Sequence, residues 1–302
     1  VKRLALPAGR RKPEDFTMVK TIGNPLSWTA RALGDGASAV PPRLGRIGGT
    51  GVMPETRRLT FDDLRAALRD GWDDFAAFRT DVMFACLLYP VIGLVLAWFA
   101  FHQALLPLLF PLVAGFALLG PVAAIGLYEM SRRRVMGLEA RWSDGFALLA
   151  SPSLAPIVGV GAVLFLLFLC WLGAAGLIYE ATLGPALPAS AVALVRDALT
   201  TTAGWTMIVV GFAVGFVFAA VVLAVSVVSL PLLVDRDVGL VAAIVTSVRV
   251  AKANPKVIAA WGLVVAVCLA LGSLPALIGL IVAMPVLGHA TWHLYRRAVV
   301  TG

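Results

Sequence analysis

"WTMIVVGFAVGFVFAAVVLAVSVVSLPLLV", residues 205–234, contains no Lys, Arg, Asp or Glu. About 20 helical residues, each rising roughly 1.5 Å, cross the ~30 Å hydrocarbon core of a bilayer. A run this long and this apolar decides the fold class: it reads as a membrane-spanning helix. Working outward, 82–128, 157–179 and 257–295 are equally free of charge. The whole chain is 60% hydrophobic and 14% charged, which places it outside the soluble globular range.

Two of these runs are long enough to turn back on themselves, at "HQA" (102–104) and at "GSLP" (272–275). Six spans result, at about 82–101, 105–128, 154–179, 205–232, 257–272 and 275–295. Pro90, Pro107, Pro111 and Pro285 fall inside them, which packed neighbours tolerate by re-satisfying the freed carbonyls. Cys86, Cys170 and Cys268 also lie in apolar runs and read as small hydrophobes, since a disulfide or zinc site needs another spacing. The formal charge of +8 suggests topology and not nucleic acid, because the basic residues flank the spans. Omitting everything before the first span, the connections on one side carry ten Lys or Arg and those on the other carry only Arg196. The richer side is cytoplasmic by the positive-inside rule, so both termini are expected there, in a bacterial inner membrane.

Ahead of the first span, "LTFDDLRAALRDGWDDFAAFRTD" (59–81) reads as an amphipathic helix. Thr60 with Asp63 approximates a capping box, and Leu59 with Leu64 a hydrophobic staple. Phe61, Leu64, Leu68, Trp72, Phe75 and Phe78 form one stripe at helical spacing. Residues 1–58 form a Gly-, Pro- and Arg-rich cytoplasmic arm, expected to be mobile, with a short helix at 24–34. The first 17 residues contain no apolar signal-peptide core, and Met18 marks an expected start of translation, which an intact mass would check. The membrane domain occupies 59–302.

The amphipathic helix has echoes. "WSDGFALLAS" (142–151) resembles "WDDFAAFRTD" (72–81), and "GLVAAIVTSVRVAKANP" (239–255) precedes the fifth span. Leu138, Trp142, Phe146 and Leu149 share one helical face in the first, and Val241, Ile244, Val248 and Ala251 in the second. Pro121, Pro231 and Pro285 each sit late in the second span of a pair. After Pro121 and Pro285, Arg132 and Arg133 occupy the same offsets as Arg296 and Arg297. The expected architecture is all-α: six transmembrane helices as three repeats of amphipathic helix plus hairpin.

Within that architecture Arg132, Arg133, Arg134, Arg296 and Arg297 read as membrane anchors, with Trp292 and Tyr295 as interfacial belt residues. Gly211, Gly215 and Ala219 form a small-residue stripe for close helix packing, within the chain or between two copies. His289 and His293, four residues apart, stack on one face as a metal or cofactor site needs. No acidic or cysteine ligand shares their helix at that depth, so histidines hydrogen-bonded to neighbours are expected, with neither metal nor cofactor. No catalytic motif is present: there is no P-loop, no H-E-x-x-H and no G-x-S-x-G.

At "TIGNPLSWTARALG" (21–34), "LRAALRDGWDDF" (64–75), "RTDVMF" (79–84), "LVDRDVGL" (233–240) and "PVLGHATWHLYRR" (285–297) the chain resembles a bacterial family of predicted multi-pass integral membrane proteins with a domain of unknown function. Members are sometimes labelled as similar to subunit I of cytochrome c oxidase. A haem–copper core needs more histidine ligands than the three in this chain, so the protein is expected not to be such a core. The expected function is non-catalytic: association with the lipid bilayer and with a membrane-complex partner or a second copy, and not with nucleic acid. The alternatives are a transporter of a small or hydrophobic solute, or an accessory subunit of a respiratory oxidase or other energy-transducing complex. A lipid-acting enzyme that holds headgroup phosphate at Arg132–Arg134 ranks last, for want of a nucleophile–base pair.

Overall fold

The computed structural model describes residues 53–86, 90–95, 98, 106–274 and 277–300. The arm over 1–52, its short helix at 24–34 and part of the first span with its turn lie outside the described residues. The described residues are helical, joined by short turns and one isolated bridge between Thr56 and Val299.

Helix α1 (Phe61–Cys86) starts where the sequence places it. The Asp63 amide donates to Thr60 Oγ1 at 3.1 Å and the Thr60 amide to Asp63 Oδ2 at 2.8 Å, a reciprocal cap. Leu59 and Leu64 are both buried beside it. The buried face consists of Leu64, Ala67, Gly71, Asp74 and Phe75, whereas Phe61 and Trp72 are exposed. The predicted apolar stripe is thus rotated. Its cause lies at the other end of the chain, where α11 (Leu280–Ala298) runs antiparallel along α1. A Cβ on Gly71 would sit 2.5 Å from the Ala290 amide nitrogen. The two helices therefore cross at small residues, and the bulky rings are left on the flank.

Helices α2 (Leu109–Phe116), α3 (Gly120–Ala123) and α4 (Ile125–Val135) form one interrupted apolar element. The break falls at a 3-10 turn, Ala117–Leu119, just before Pro121, which has no N–H for the Ala117 carbonyl. Gly137, at φ +70°, closes α4, with the Leu138 amide donating to the Arg133 carbonyl at 2.9 Å. The next element, Trp142–Ala150, is a 3-10 helix. The sequence predicts an amphipathic α-helix there, and Leu138 and Leu149 of its predicted apolar face are exposed.

Helix α5 (Leu154–Thr182) leads through α6 (Ala191–Thr200) to α7 (Thr202–Ser226) and α8 (Ser229–Asp235). Between α7 and α8 the ladder is opened by Ser247 of α9 (Leu240–Ala253). Its hydroxyl donates to the Ala224 carbonyl at 2.8 Å and accepts from the Val228 amide at 3.1 Å, taking the place of the helical 228→224 bond. Beyond this interruption α8 lies inside the protein, with Leu230, Leu232 and Leu233 fully buried. In α9 the buried residues are Ala242, Ala243, Thr246, Ser247 and Val250. Val241, on the predicted apolar face with Ile244, Val248 and Ala251, is exposed. Asn254 then separates α9 from α10 (Pro255–Ser273), its Oδ1 accepting from the Leu59 amide at 2.7 Å.

Among the described residues, four stretches are long and apolar enough to cross a membrane: Leu106–Val135, Leu154–Thr182, Thr202–Asp235 and Pro255–Ser273. The expectation of six is therefore met only in part. The region 82–101 is only partly described, and α11, equal in length to α10, carries His289, His293, Arg296 and Arg297 in its second half and is buried along much of its length. The spans turn large side chains outward, among them Phe165, Leu166, Leu177, Phe212, Phe216 and Leu263. An outer surface of this kind matches hydrocarbon, not water. Cys170 belongs to this outer surface. The close-packed core gathers instead at one end of the bundle, where α1, α4, α8, α9 and the last turns of α11 meet.

Candidate functional site

At that end the helical spacing brings chemistry-bearing groups together. His289 and His293 (i, i+4) face inward from α11, Ser131 and Arg134 (i, i+3) come from α4, and Asp74 comes from α1. Asp74 is 4% exposed and is the hub. Its Oδ2 accepts from Ser131 Oγ at 2.5 Å and pairs with His293 Nε2 at 2.8 Å. Its Oδ1 accepts from Arg134 at 2.8 Å, and the same guanidinium nitrogen reaches the Asp73 carbonyl at 2.8 Å. Ser131 Oγ lies 2.7 Å from His289 Nδ1.

Donor bookkeeping fixes the protons. The Ser131 hydroxyl has one hydrogen, which the carboxylate takes, so His289 Nδ1 carries a proton and donates to Ser131 Oγ. The other nitrogen of His289, Nε2, is buried and has no hydrogen-bond partner among the described residues. The fully buried His289 ring faces Phe78, over which Arg134 also lies, 5.7 Å from the centroid. Burial on its own would raise the Asp74 carboxyl, but hydrogen bonds from His293 and Ser131 outweigh it and hold its pKa below the usual carboxylate value.

Serine, histidine and aspartate meet here, but in an order unlike that of a nucleophilic triad. A triad needs the histidine between the other two, taking the hydroxyl proton. Here the serine is in the middle, its proton held by Asp74, and Ser131 is fully buried. The arrangement can fasten α1, α4 and α11 together and can share a proton along His293, Asp74, Ser131 and His289. Among the described residues no group of three or more His, Cys, Asp or Glu is placed to hold a metal ion.

The predicted anchor arginines are ion-paired around this cluster. Arg132 and Arg133 contact Glu129 at 2.7 and 3.0 Å, and Arg133 also reaches Asp144 at 3.2 Å. Arg297 meets Asp70 at 2.6 Å and Arg296 lies 3.7 Å from Asp235. Trp292 and Tyr295 are fully buried, their rings tilted by 55° with centroids 5.4 Å apart, and the Tyr295 hydroxyl donates to Asp235 at 2.6 Å. Arg57 donates to the carbonyls of Arg296 and Arg297, and Thr56 bridges Val299, so the described end of the N-terminal arm is tied to the C-terminus. In α7, Gly215 faces Trp171 of α5, where a Cβ would meet the ring at 3.1 Å. Gly211 has open space and Ala219 is exposed. The sequence reading missed Asp70, Asp74, Glu129, Ser131 and Asp235. Of these only Glu129 had a local signal, its spacing of three and four from Arg132 and Arg133.

Several apolar spans with an outward apolar surface, four of them among the described residues, and a buried polar cluster at one end define an integral membrane protein. Residues 108–235 match the family model described as "Predicted integral membrane protein (DUF2189)". This is the kind of family, multi-pass with a domain of unknown function, that the sequence motifs resemble. The match takes in α2 to α8, and with them Glu129, Ser131 and Arg132–Arg134, while Asp74, His289 and His293 lie beyond it. No curated protein and no solved structure matches the chain.

Proposed function

We propose that the protein is a six-span bacterial inner-membrane protein with both termini cytoplasmic, and that it acts without catalysis by associating with other membrane components. The observation that carries this reading is the Asp74 cluster, in which the groups able to do chemistry are buried and bonded to one another. The outward surface supports association. Helix α6 turns Val192, Val195 and Leu199 outward, and α7 turns out Phe212 and Phe216 beside Gly211. A three-fold repeat of amphipathic helix and hairpin remains part of this reading, resting on the sequence echoes. The partner can be a second copy or a respiratory or other energy-transducing complex, to which this chain would be accessory.

The test is crosslinking and pull-down of the tagged protein in mild detergent, with and without residues 18–58. A reproducible partner lost on deleting the arm supports association. A solitary protein whose deletion from cells alters uptake or export of a solute overturns it in favour of a transporter. One observation favours that second reading: an apolar cavity between the α2–α3 element, α10 and α11, lined by Val113, Leu119, Ala123, Leu269, Ser273 and Met284. Reporter fusions test the topology. Positions 135, 245 and the C-terminus should report inside and 103 and 190 outside; an inside signal at 190 would overturn the pairing of spans.

A further inference from the structure

Most arginines at the polar end have a protein partner, so the cations that lack one stand out. Arg249, Lys252 and Lys256 are all exposed and make no hydrogen bond or ion pair among the described residues. They follow one another at three and four residues, across the joint between α9 and α10.

Helix α9 lies across the end of the bundle. At its start the Leu240 side chain packs against Gly159 of α5, where a Cβ would stand 3.0 Å away. At its finish it runs directly into α10 at Pro255. Both places lie within the first two turns of spans that enter the membrane from the same end, so α9 rests at the level where spans enter. Its outer face reads Val241, Val245, Val248 and Lys252 at helical spacing, with Val241 and Lys252 exposed. Lys256 sits on the same face of α10 as Leu263, Val267 and Leu271, all exposed apolar residues. Seven helical residues separate Lys256 from Leu263, about 10 Å. That is the offset between a headgroup phosphate and the acyl chains beneath it.

We propose that Arg249, Lys252 and Lys256 bind the phosphate of anionic phospholipid headgroups, with the lipid's chains lying along the exposed face of α10. The charge complementarity moves headgroup recognition away from the Arg132–Arg134 run, whose cations are occupied by Glu129, Asp144 and Asp74. The inference is independent of the association reading, because it needs no protein partner.

The test uses the full chain, delipidated in mild detergent and titrated with phosphatidylglycerol or phosphatidylcholine, with bound lipids counted by native mass spectrometry. A cation near an anionic surface contributes about a factor of five in affinity. Replacing all three (Arg249→Gln, Lys252→Gln, Lys256→Gln) should therefore weaken phosphatidylglycerol binding at least ~10-fold and leave phosphatidylcholine unchanged. Lys252→Arg with Lys256→Arg should keep the preference, and Arg65→Gln, a cation already paired with Asp62, should not alter it. Equal phosphatidylglycerol binding by the triple variant would overturn the proposal. So would displacement of the lipid by millimolar inorganic phosphate, which would identify a soluble anion as the ligand. Should the triple variant fail to fold, the three single variants, each expected to lose a few-fold, decide the matter in the same way.

Discussion

Replacing Asp74 with alanine strips the acceptor from three donors at once. Ser131 is 0% exposed and the His293 side chain 12%, so neither can turn to water, whereas the Arg134 side chain, 41% exposed, can. Each buried donor left without a partner costs about 1–3 kcal/mol. The Arg134 pair adds little, because half-exposed ion pairs are screened. The two buried donors together come to about 2–6 kcal/mol, a range that brackets the roughly 3–5 kcal/mol of breaking a buried charge pair. Asp74→Asn keeps one oxygen for Ser131 and His293 but gives up the charge, and should cost roughly half as much. The assay is reversible unfolding in mixed detergent micelles, with Ser131→Ala and the double variant completing a cycle; a coupling of about 0.5–3 kcal/mol is expected between two residues in contact. The pH dependence has a definite sign. Asp74 in the folded protein holds its pKa below the ordinary 3.8, so its contribution is fully present above about pH 4 and is lost as the pH falls through the folded-state value. The Asn variant should lack that acid-side loss. An Asp74→Ala protein within about 0.5 kcal/mol of the parent, the scatter of ordinary surface changes, would refute the hub.

The helix crossing and the neighbouring charge clusters give three more expectations, all read by the same unfolding measurement. Gly71→Ala forces a Cβ to within 2.5 Å of the Ala290 backbone and should cost about 1–3 kcal/mol by overpacking. Gly126→Ala, with no atom within 4 Å of the new methyl, should be neutral or gain up to ~1 kcal/mol; equal losses at the two sites would refute the crossing. Tyr295→Phe keeps the ring packed on Trp292 and removes only the hydroxyl bond to Asp235, so about 1.5–3 kcal/mol should be lost, and no loss would show that bond to be idle. Glu129→Gln leaves Arg132 and Arg133 without their nearest charge, and should cost less than Asp74→Ala because both arginines reach solvent.

The helical, membrane-embedded class was legible because it depends on composition and on run length, both local properties. The α1 start was legible for the same reason: Thr60 and Asp63 lie three residues apart and need no tertiary partner. The orientation of α1 was not. Ala67 and Gly71 carry no hydrophobic weight in a periodicity count, yet they mark the buried face, since only small residues let α11 approach so closely. Asp74 reads on a helical wheel as part of a solvated face. It becomes a hub only when α4 and α11, 57 and 215 or more residues away in sequence, bring Ser131 and the histidines to it. The arginine runs are a related case. Read alone they look like lipid-facing anchors, and each carboxylate that takes them up, Glu129 apart, lies on another element.

In hydrocarbon two helices gain little from burying apolar surface, because the lipid tails are equally apolar. Selecting one neighbour over another therefore needs small residues or polar contacts. Along the spans of this protein the first device appears at isolated points, such as Gly115 and Gly215 against the Trp171 ring. The second is concentrated at one end, and it joins the elements farthest apart in sequence: Thr56 and Arg57 with 296–299, Asp70 with Arg297, and Asp74 with His293. Apolar packing alone would let α1 slide along α11 by a turn at modest cost. A buried carboxylate holding a serine, a histidine and an arginine from two other helices does not allow that shift, because each donor would be left unpaired in a dry site. The polar end thus sets the register of the helices, and the spans beyond it are left free to face lipid or a partner.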